Sequence, residues 1–357
     1  MNSASAPDPR APQHPGIDPS ARKSSRGRQI LLSLVMPCYN EQEVLETTHT
    51  RISAVLSDIP DLALQFVYVN DGSLDHTESI LRGLAEQDAR IKFLSLSRNF
   101  GHQPAVSAGL AHADGDIVAV LDADLQDPPE VLLSMLEKWR DGFDVIYGIR
   151  RERKEILLKR IGYAAFYRIF NRITNINAPL DSGDFCLIDR RVLNAVNSMP
   201  EKMRFFRGLR SWIGFRQTGI PYQRASRAAG VSKYSFRQLA KLGLDGIFNF
   251  STAPLTLVFF TGINTALLSL AALIFIIVQR IYDIQIFGVR PEDVPGFATL
   301  ALMILFLGGI QLVSIGILGE YIGRIYQEVK GRPTYIVRSI EGSAVRGAES
   351  RRTAGTN

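Results

Sequence analysis

Residues 115–130 read GDIVAVLDADLQDPPE, an apolar run that stops abruptly at carboxylates. A short apolar run bounded by turn residues fits a strand buried on both faces. The pattern recurs. ILLSLVMPCYNE (30–41), LALQFVYVNDGS (62–73) and IKFLSLSRN (91–99) each run apolar and then turn polar, and FDVIYGIR (143–150) follows. Residues 44–56, 75–85, 103–111 and 129–139, lying between these runs, read as helices. Strands alternating with helices predict an α/β domain with a mostly parallel, twisted sheet covered on both faces.

Ligands of such sheets bind at the carboxyl ends of the strands. The polar clusters lie there: residues 37–41, 70–73, Arg98-Asn99 and 122–126. After a buried strand, Asp122 and Asp124 at i and i+2 point the same way as long as the chain stays extended, and Gln126 continues that parity. Such oxygen ligands suit Mg²⁺ or Mn²⁺, which keep positions open for water and substrate phosphates. The plain alternative is a solvated turn. No G-x-G-x-x-G follows the first strand and no G-x-x-x-x-G-K-[ST] occurs, so phosphate would have to be neutralised by something other than glycine-rich backbone.

Composition divides the rest. Residues 1–29 are rich in Pro, Ser and Arg and lack large apolar residues, which predicts a disordered tail, and the end from about 342 reads alike. Cys38 and Cys186 are the only cysteines, too few for a disulfide framework, and they suggest a reducing compartment. The net charge is +6, with Arg150, Arg151, Arg153, Lys154, Lys159 and Arg160 gathered together. Such a patch suits nucleic acid, a phosphate-handling loop or a membrane surface.

Two charge-free runs, 253–278 and 297–319, favour the latter two. Each is long enough as a helix to cross roughly 30 Å of hydrocarbon. Lys233, Arg237 and Lys241 precede the first, and Arg324, Lys330 and Arg332 follow the second. Basic flanks stay inside, so both termini and the α/β domain are expected in the cytoplasm, beneath a two-span hairpin in the plasma membrane. Residues 158–173 and 236–250 have amphipathic spacing, as interfacial helices or as helices packed on the domain. The expected organisation is a tail (1–29), an α/β catalytic domain (30–232), a juxtamembrane amphipathic helix (233–252), the hairpin (253–319) and a C-terminal segment with tail (320–357).

VMPCYNEQE, YVNDGSLDHT, SRNFGHQPAVSAGL, LDADLQDPPE, GDFCLIDRRV, GVSKYS and LGEYIGRIYQEVKGRPTYIV together resemble family 2 of the glycosyltransferases. Within it they are similar to the polyprenyl-phosphate branch, which includes bactoprenol glucosyltransferases and dolichyl-phosphate mannose synthases. The resemblance covers residues 32–337 and implies a GT-A fold and inverting transfer of a sugar. The donor would be a nucleotide diphosphate sugar such as UDP-glucose, and the acceptor undecaprenyl phosphate. UDP-GlcNAc, GDP-mannose and UDP-aminoarabinose are the alternative donors. The resemblance further implies that Pro37, Tyr39 and Glu41 line the nucleoside pocket and that Asp71 contacts the base. Asp122 and Asp124 would address the sugar nucleotide and its Mg²⁺ or Mn²⁺, with Gln126 as a further ligand. Asp184 falls where the family places a candidate base, and Arg150, Arg227, Ser232 and Lys233 would meet phosphate. Partners would be the lipid acceptor, the membrane and copies of the chain in a homo-tetramer, and not nucleic acid.

Two rivals are weaker. A processive polysaccharide synthase would carry Q-x-x-R-W and more spans, and a non-catalytic nucleotide-binding scaffold would not need both Asp122 and Asp124. His102 and His112 have no partner at metal spacing and read as packing or solvent-facing residues.

Overall fold

The structure is a computed structural model that describes residues 29–151, 182–202, 204–224, 251–282 and 296–342. The two amphipathic stretches, Arg227, Ser232, Lys233 and most of both tails lie outside these residues. The described residues fall into two compact units, one holding the sheet and the other the described part of 237–332.

The sheet unit alternates as its sequence predicts. Strands β1 (Ile30–Cys38), β2 (Leu62–Asn70), β3 (Ile91–Leu96) and β4 (Ile117–Val120) are separated by helices α1 (Leu45–Leu56), α2 (Thr77–Gln87) and α3 (His102–His112). Then come α4 (Val131–Arg140), β5 (Val145–Arg151), β6 (Ser182–Asp189), α5 (Arg190–Ser198), α6 (Phe206–Trp212) and β7 (Gln217–Gln223). The order across the sheet is β7-β5-β6-β4-β1-β2-β3-β8, where β8 (Val337–Glu341) is an edge strand that the sequence reading assigned to the C-terminal segment. β1, β2, β3 and β4 run parallel, as do β5 and β7, whereas β6 is antiparallel to both its neighbours and β8 to β3.

Alternation along the central strands divides the core. Leu32, Leu34, Met36 and Cys38 of β1 face a cluster with Leu45, Ile52 and Leu56 of α1, Leu81 of α2 and Leu132 and Met135 of α4. Val35, Val67 and Val69 face the opposite cluster, with Val106 and Leu110 of α3 and Val192 and Leu193 of α5. Period-2 side chains thus serve two covered faces. Cys38 and Cys186 are buried free thiols. Burial pushes the Cys38 thiol up, so it packs rather than reacts.

The chain steps from β1 outward to β2 and β3 and then returns to place β4 on the other side of β1. The crevice of a parallel sheet opens at such a reversal. Here the β1–β4 ladder ends at Val35↔Val120, while β1 continues beside β2 to Cys38↔Asn70. Val35 O accepts from Leu121 N. Residue 37 shares that parity, so its missing N–H falls where the ladder has already stopped, and a proline is tolerated in a central strand.

In the second unit, α7 (Ala253–Ile281) and α8 (Gly296–Val329) are long and apolar enough to cross a membrane. Their apolar side chains are exposed, Leu268 by 71% and Leu312 by 72%. The Tyr321 hydroxyl of α8 donates to Ser251 O at the start of α7 over 2.7 Å. α8 runs past the expected end at 319 because its polar last turns remain helical, with Arg324 paired to Glu320 at i,i+4.

Candidate active site

At the carboxyl edge of the parallel strands, the loops are tied to one another before any ligand is considered. Asn40, at φ 56°, donates from its backbone to Ser73 Oγ, and its Oδ1 accepts from Leu74 N. Glu41 N donates to Thr77 Oγ1 over 2.9 Å, and His76 N to Gln42 Oε1 over 3.0 Å. The post-β1 loop carrying Tyr39 and Glu41 is therefore braced on the post-β2 loop. Asn70, wholly buried, donates to Glu78 and Ser95 and accepts from Ser73 N, so it holds the turn. Gly72, at φ 65°, lets this turn lie against the next loop; a Cβ there would come within 2.5 Å of the Arg98 carbonyl carbon.

Asp71 accepts from Phe100 N at 2.7 Å and Gly101 N at 2.9 Å, one on each carboxylate oxygen. Burial raises its carboxyl above the usual range despite both bonds. Asp71 therefore clamps the loop that leads into α3, while each oxygen retains acceptor capacity.

The stretch from Asp122 to Gln126 departs from the extended chain expected of it. β4 ends at Val120, and the chain turns, with Leu125 in the left-handed region at φ 58°. The Asp124 side chain accepts from Gln126 N over 3.1 Å, an Asx-type turn in which the carboxylate replaces a ladder partner. Gln126 is thus not in strand parity with the aspartates. Its side chain is buried and its Nε2 has no hydrogen-bond partner among the described residues.

The turn brings in Asp127, which the sequence reading passed over. It is buried, its Oδ1 accepts from the Tyr222 hydroxyl, and its Oδ2 has no hydrogen-bond partner among the described residues. Arg150 Nη2 lies 4.0 Å and Arg224 Nε 3.7 Å from Oδ1, and Arg224 also reaches Asp122 at 3.6 Å. Burial and the neighbouring Asp127, Asp124 and Asp184 push Asp122 up to about 6, against the opposing pull of His102. Crowded carboxylates of this kind favour a bound cation.

Among the described residues no group of three or more His, Cys, Asp or Glu is placed to hold a metal by itself. The expected donors, Asp122 and Asp124, are hard oxygens, a chemistry that fits Mg²⁺ or Mn²⁺, whose remaining ligands are commonly water and substrate phosphate.

Asp184 enters from the antiparallel neighbour. Cys186 of β6 pairs with Val120 of β4, so Asp184 stands across from Asp122 at the same edge. It is buried and accepts from His102 Nε2 at 3.1 Å and Gln103 Nε2 at 2.9 Å on Oδ2, and from Arg207 Nε at 2.9 Å on Oδ1. Burial alone would raise this carboxyl, but Arg207 and His102 outweigh it and hold it far below the usual carboxylate range. His102, read from sequence as a packing or solvent residue, is instead joined to a site acid 82 positions away. Arg150 lies at the same edge, donating to the Tyr222 hydroxyl at 3.3 Å, and a Cβ on Gly183 would meet its Nη2 at 2.8 Å.

The site thus gathers Pro37, Tyr39, Glu41, Asp71, Asp122, Asp124, Gln126, Arg150 and Asp184 onto adjoining strand ends of one sheet edge. Asp127, His102, Arg207, Tyr222 and Arg224 are additions; the first lies within the acidic stretch of residues 115–130, whereas the others have no local signature.

Residues 33–196 match the family model described as glycosyl transferase family 2. The SfII prophage-derived bactoprenol glucosyl transferase of Shigella flexneri is 41% identical, over 86% of this chain and 97% of its own length. A prophage bactoprenol glucosyl transferase homolog of Escherichia coli K12 is 40% identical, over 87% and 99%. Among solved structures, glucosyl-3-phosphoglycerate synthase of Mycobacterium tuberculosis matches 66% of this chain and 82% of its own, at 18% identity and a TM-score of 0.45.

Proposed function

Since the chain belongs to glycosyltransferase family 2 and is a glycosyltransferase with a GT-A sheet, we propose that it transfers glucose from UDP-glucose to undecaprenyl phosphate with inversion. The observation that carries this reading is the acidic turn Asp122–Asp127, set where β1 and β4 part, in a chain that continues into two long apolar helices. An acceptor on an isoprenoid chain calls for such helices. The names of the curated relatives support the lipid carrier and the glucose.

The braced loops after β1 and β2 would receive the nucleoside at Pro37, Tyr39 and Glu41, and Asp71 would meet the base with its remaining lone pairs. Asp122 and Asp124, with Asp127 beside them, would hold the divalent cation. Bound there, that cation supplies charge stabilisation for the departing diphosphate. In the transfer, an acceptor phosphate oxygen forms the new bond to the anomeric carbon from the face opposite the leaving group. The old carbon–oxygen bond breaks and its electron pair leaves with UDP.

A phosphate monoester with a second pKa near ~6 is largely a dianion at neutral pH, so no proton need be removed. Asp184 suits this chemistry as an anchor: three donors occupy it, and Arg207 and His102 hold its proton affinity so low that it makes a poor base. Arg150 would face phosphate, and Arg227, Ser232 and Lys233, which lie outside the described residues, are proposed as further phosphate contacts on the family resemblance alone. The hairpin would hold the domain at the cytoplasmic face of the plasma membrane, and self-association as a tetramer belongs to the same reading.

The test is transfer from a panel of radiolabelled sugar nucleotides to undecaprenyl phosphate, with Mg²⁺ or Mn²⁺, with EDTA, and with Asp124→Ala. Label from UDP-glucose in the lipid phase, lost with EDTA and in the variant, is the expected result. Label from another donor replaces the sugar, and no lipid label from any donor overturns the reading.

A further inference from the structure

We infer that His102 is a phosphate-binding residue of this site, fixed by Asp184 through one ring nitrogen so that the other meets an anionic phosphate oxygen of a substrate. The inference rests on the transferase reading above and adds a ligand contact to it.

The geometry is that of a ring held in place. His102 Nε2 lies 3.1 Å from Asp184 Oδ2, and the imidazole is 39% exposed whereas the Asp184 side chain is 7% exposed. The acid is therefore the buried end of the pair and the ring the accessible end. Asp184 is held from two further directions, by Gln103 and Arg207. Gln103 Oε1 in turn accepts from Phe206 N, which ties α3 to α6 beneath the ring. The ring orientation is thereby set by packed elements and not by solvent, as a preorganised binding group requires.

The charged surroundings are compatible with this. Asp184 lies between two side chains that can carry positive charge, His102 and Arg207. Burial opposes the imidazolium, but the bond and charge of Asp184 prevail and raise the His102 pKa. The other charged groups around it are Asp122, which also favours the imidazolium, and Arg207, which opposes it. The anions that the reaction brings to this edge are the donor diphosphate and the acceptor monophosphate, and a charged N–H to phosphate oxygen bond serves either.

The experiment compares wild type with His102→Ala, His102→Gln and His102→Lys in the full chain. KM is measured for UDP-glucose and for undecaprenyl phosphate, and binding of UDP and of farnesyl monophosphate is measured without turnover. Loss of a charge-assisted bond should raise one KM, and weaken the matching probe, about 10- to 100-fold in the Ala and Gln variants. Lys should restore most of it, because charge rather than ring shape is what counts. Whether the acceptor or the donor pair of measurements moves identifies the phosphate. If both KM values and both binding constants stay within about twofold, or if Lys is as poor as Ala, the inference is overturned. Should wild type transfer no sugar, the probes still decide: weakened UDP or farnesyl phosphate binding in His102→Ala sustains the inference while the transfer reading falls, and unmoved or absent binding sinks it.

Discussion

The two sides of the crevice carry opposite charge. Strands β1 to β4 end in Asp71, Asp122, Asp124 and Asp127, whereas β5, α6 and the end of β7 bring Arg150, Arg207 and Arg224. His102 and Asp184 cross over, each seated on the side of the opposite sign. The acidic side is assembled largely from loops laced by backbone hydrogen bonds, the basic side from long side chains on strand and helix ends. The two sides meet in loose pairs of 3.6–4.0 Å. A diphosphate with its cation would enter between groups already placed to receive both charges, so little reorganisation is needed at the moment of reaction.

The sharpest way to break this contrast is to neutralise the acidic side. Asp122→Asn or Asp124→Asn should cut kcat/KM for sugar transfer at least about a thousandfold. Thermal melting of the ligand-free chain should be no lower, because one charge leaves a crowded set. A variant that keeps a tenth of the wild-type rate would show that the acids do not serve the chemistry.

Asp127 makes the opposite kind of contribution. Removing it takes the shared carboxylate from Arg150 and Arg224, of which Arg224 keeps Asp122, and leaves the Tyr222 hydroxyl without its acceptor. Breaking such a buried arrangement from one side costs about 3 kcal/mol, so Asp127→Ala should lower the denaturation midpoint substantially. An unchanged midpoint would mean that the seam is only an accident of proximity.

These cases show what could be read from the sequence. The parallel half announced itself through apolar runs that stop at polar clusters, and β1 to β4 with their helices fall where the runs predict. The acids at 122 and 124 were legible because they follow such a run directly. The seam was not. β6, SGDFCLID, opens on polar residues and glycine, and β7, QTGIPYQ, contains glycine and proline, so neither shows a long apolar run. The pairing of His102 with Asp184 spans 82 positions, which no local period encodes. Asp127 was hidden by the assumption that the chain stays extended, which the positive φ of Leu125 breaks.

β8 is the extreme case, since it joins the sheet only after both long helices. It pairs antiparallel with β3, Ser97 N donates to Ile336 O, and Tyr335 and Val337 cover the core. Truncation after Arg332 should therefore cost about 2 kcal/mol of sheet-unit stability through lost apolar burial. It should also speed amide exchange at residues 97–101, the loop that Asp71 clamps, and so reach the acidic side from behind. If exchange there is unchanged, the edge strand and the site are independent.

The smallest effect belongs to a group behind the sheet, and it separates stability from the site. His49 of α1 is enclosed by Phe66, by the Tyr68 hydroxyl at 3.1 Å, by Asp88 at 3.1 Å and by Arg90 beyond it. Burial, with Arg90, lowers its pKa below the usual 6.5 in spite of Asp88. A group whose native pKa is depressed binds fewer protons folded than unfolded, so stability rises with pH across that interval. Stability should accordingly fall as pH drops from 7 through about 6.5 and below, and His49→Gln should flatten this part of the curve. Neither KM should change, because His49 contacts no strand-end residue of the site. A variant curve that stays parallel to wild type would assign the acid sensitivity to other groups. A shift in KM would show that the face behind β2 reaches the crevice, and the division between the two sides would then have to include the helices that support them.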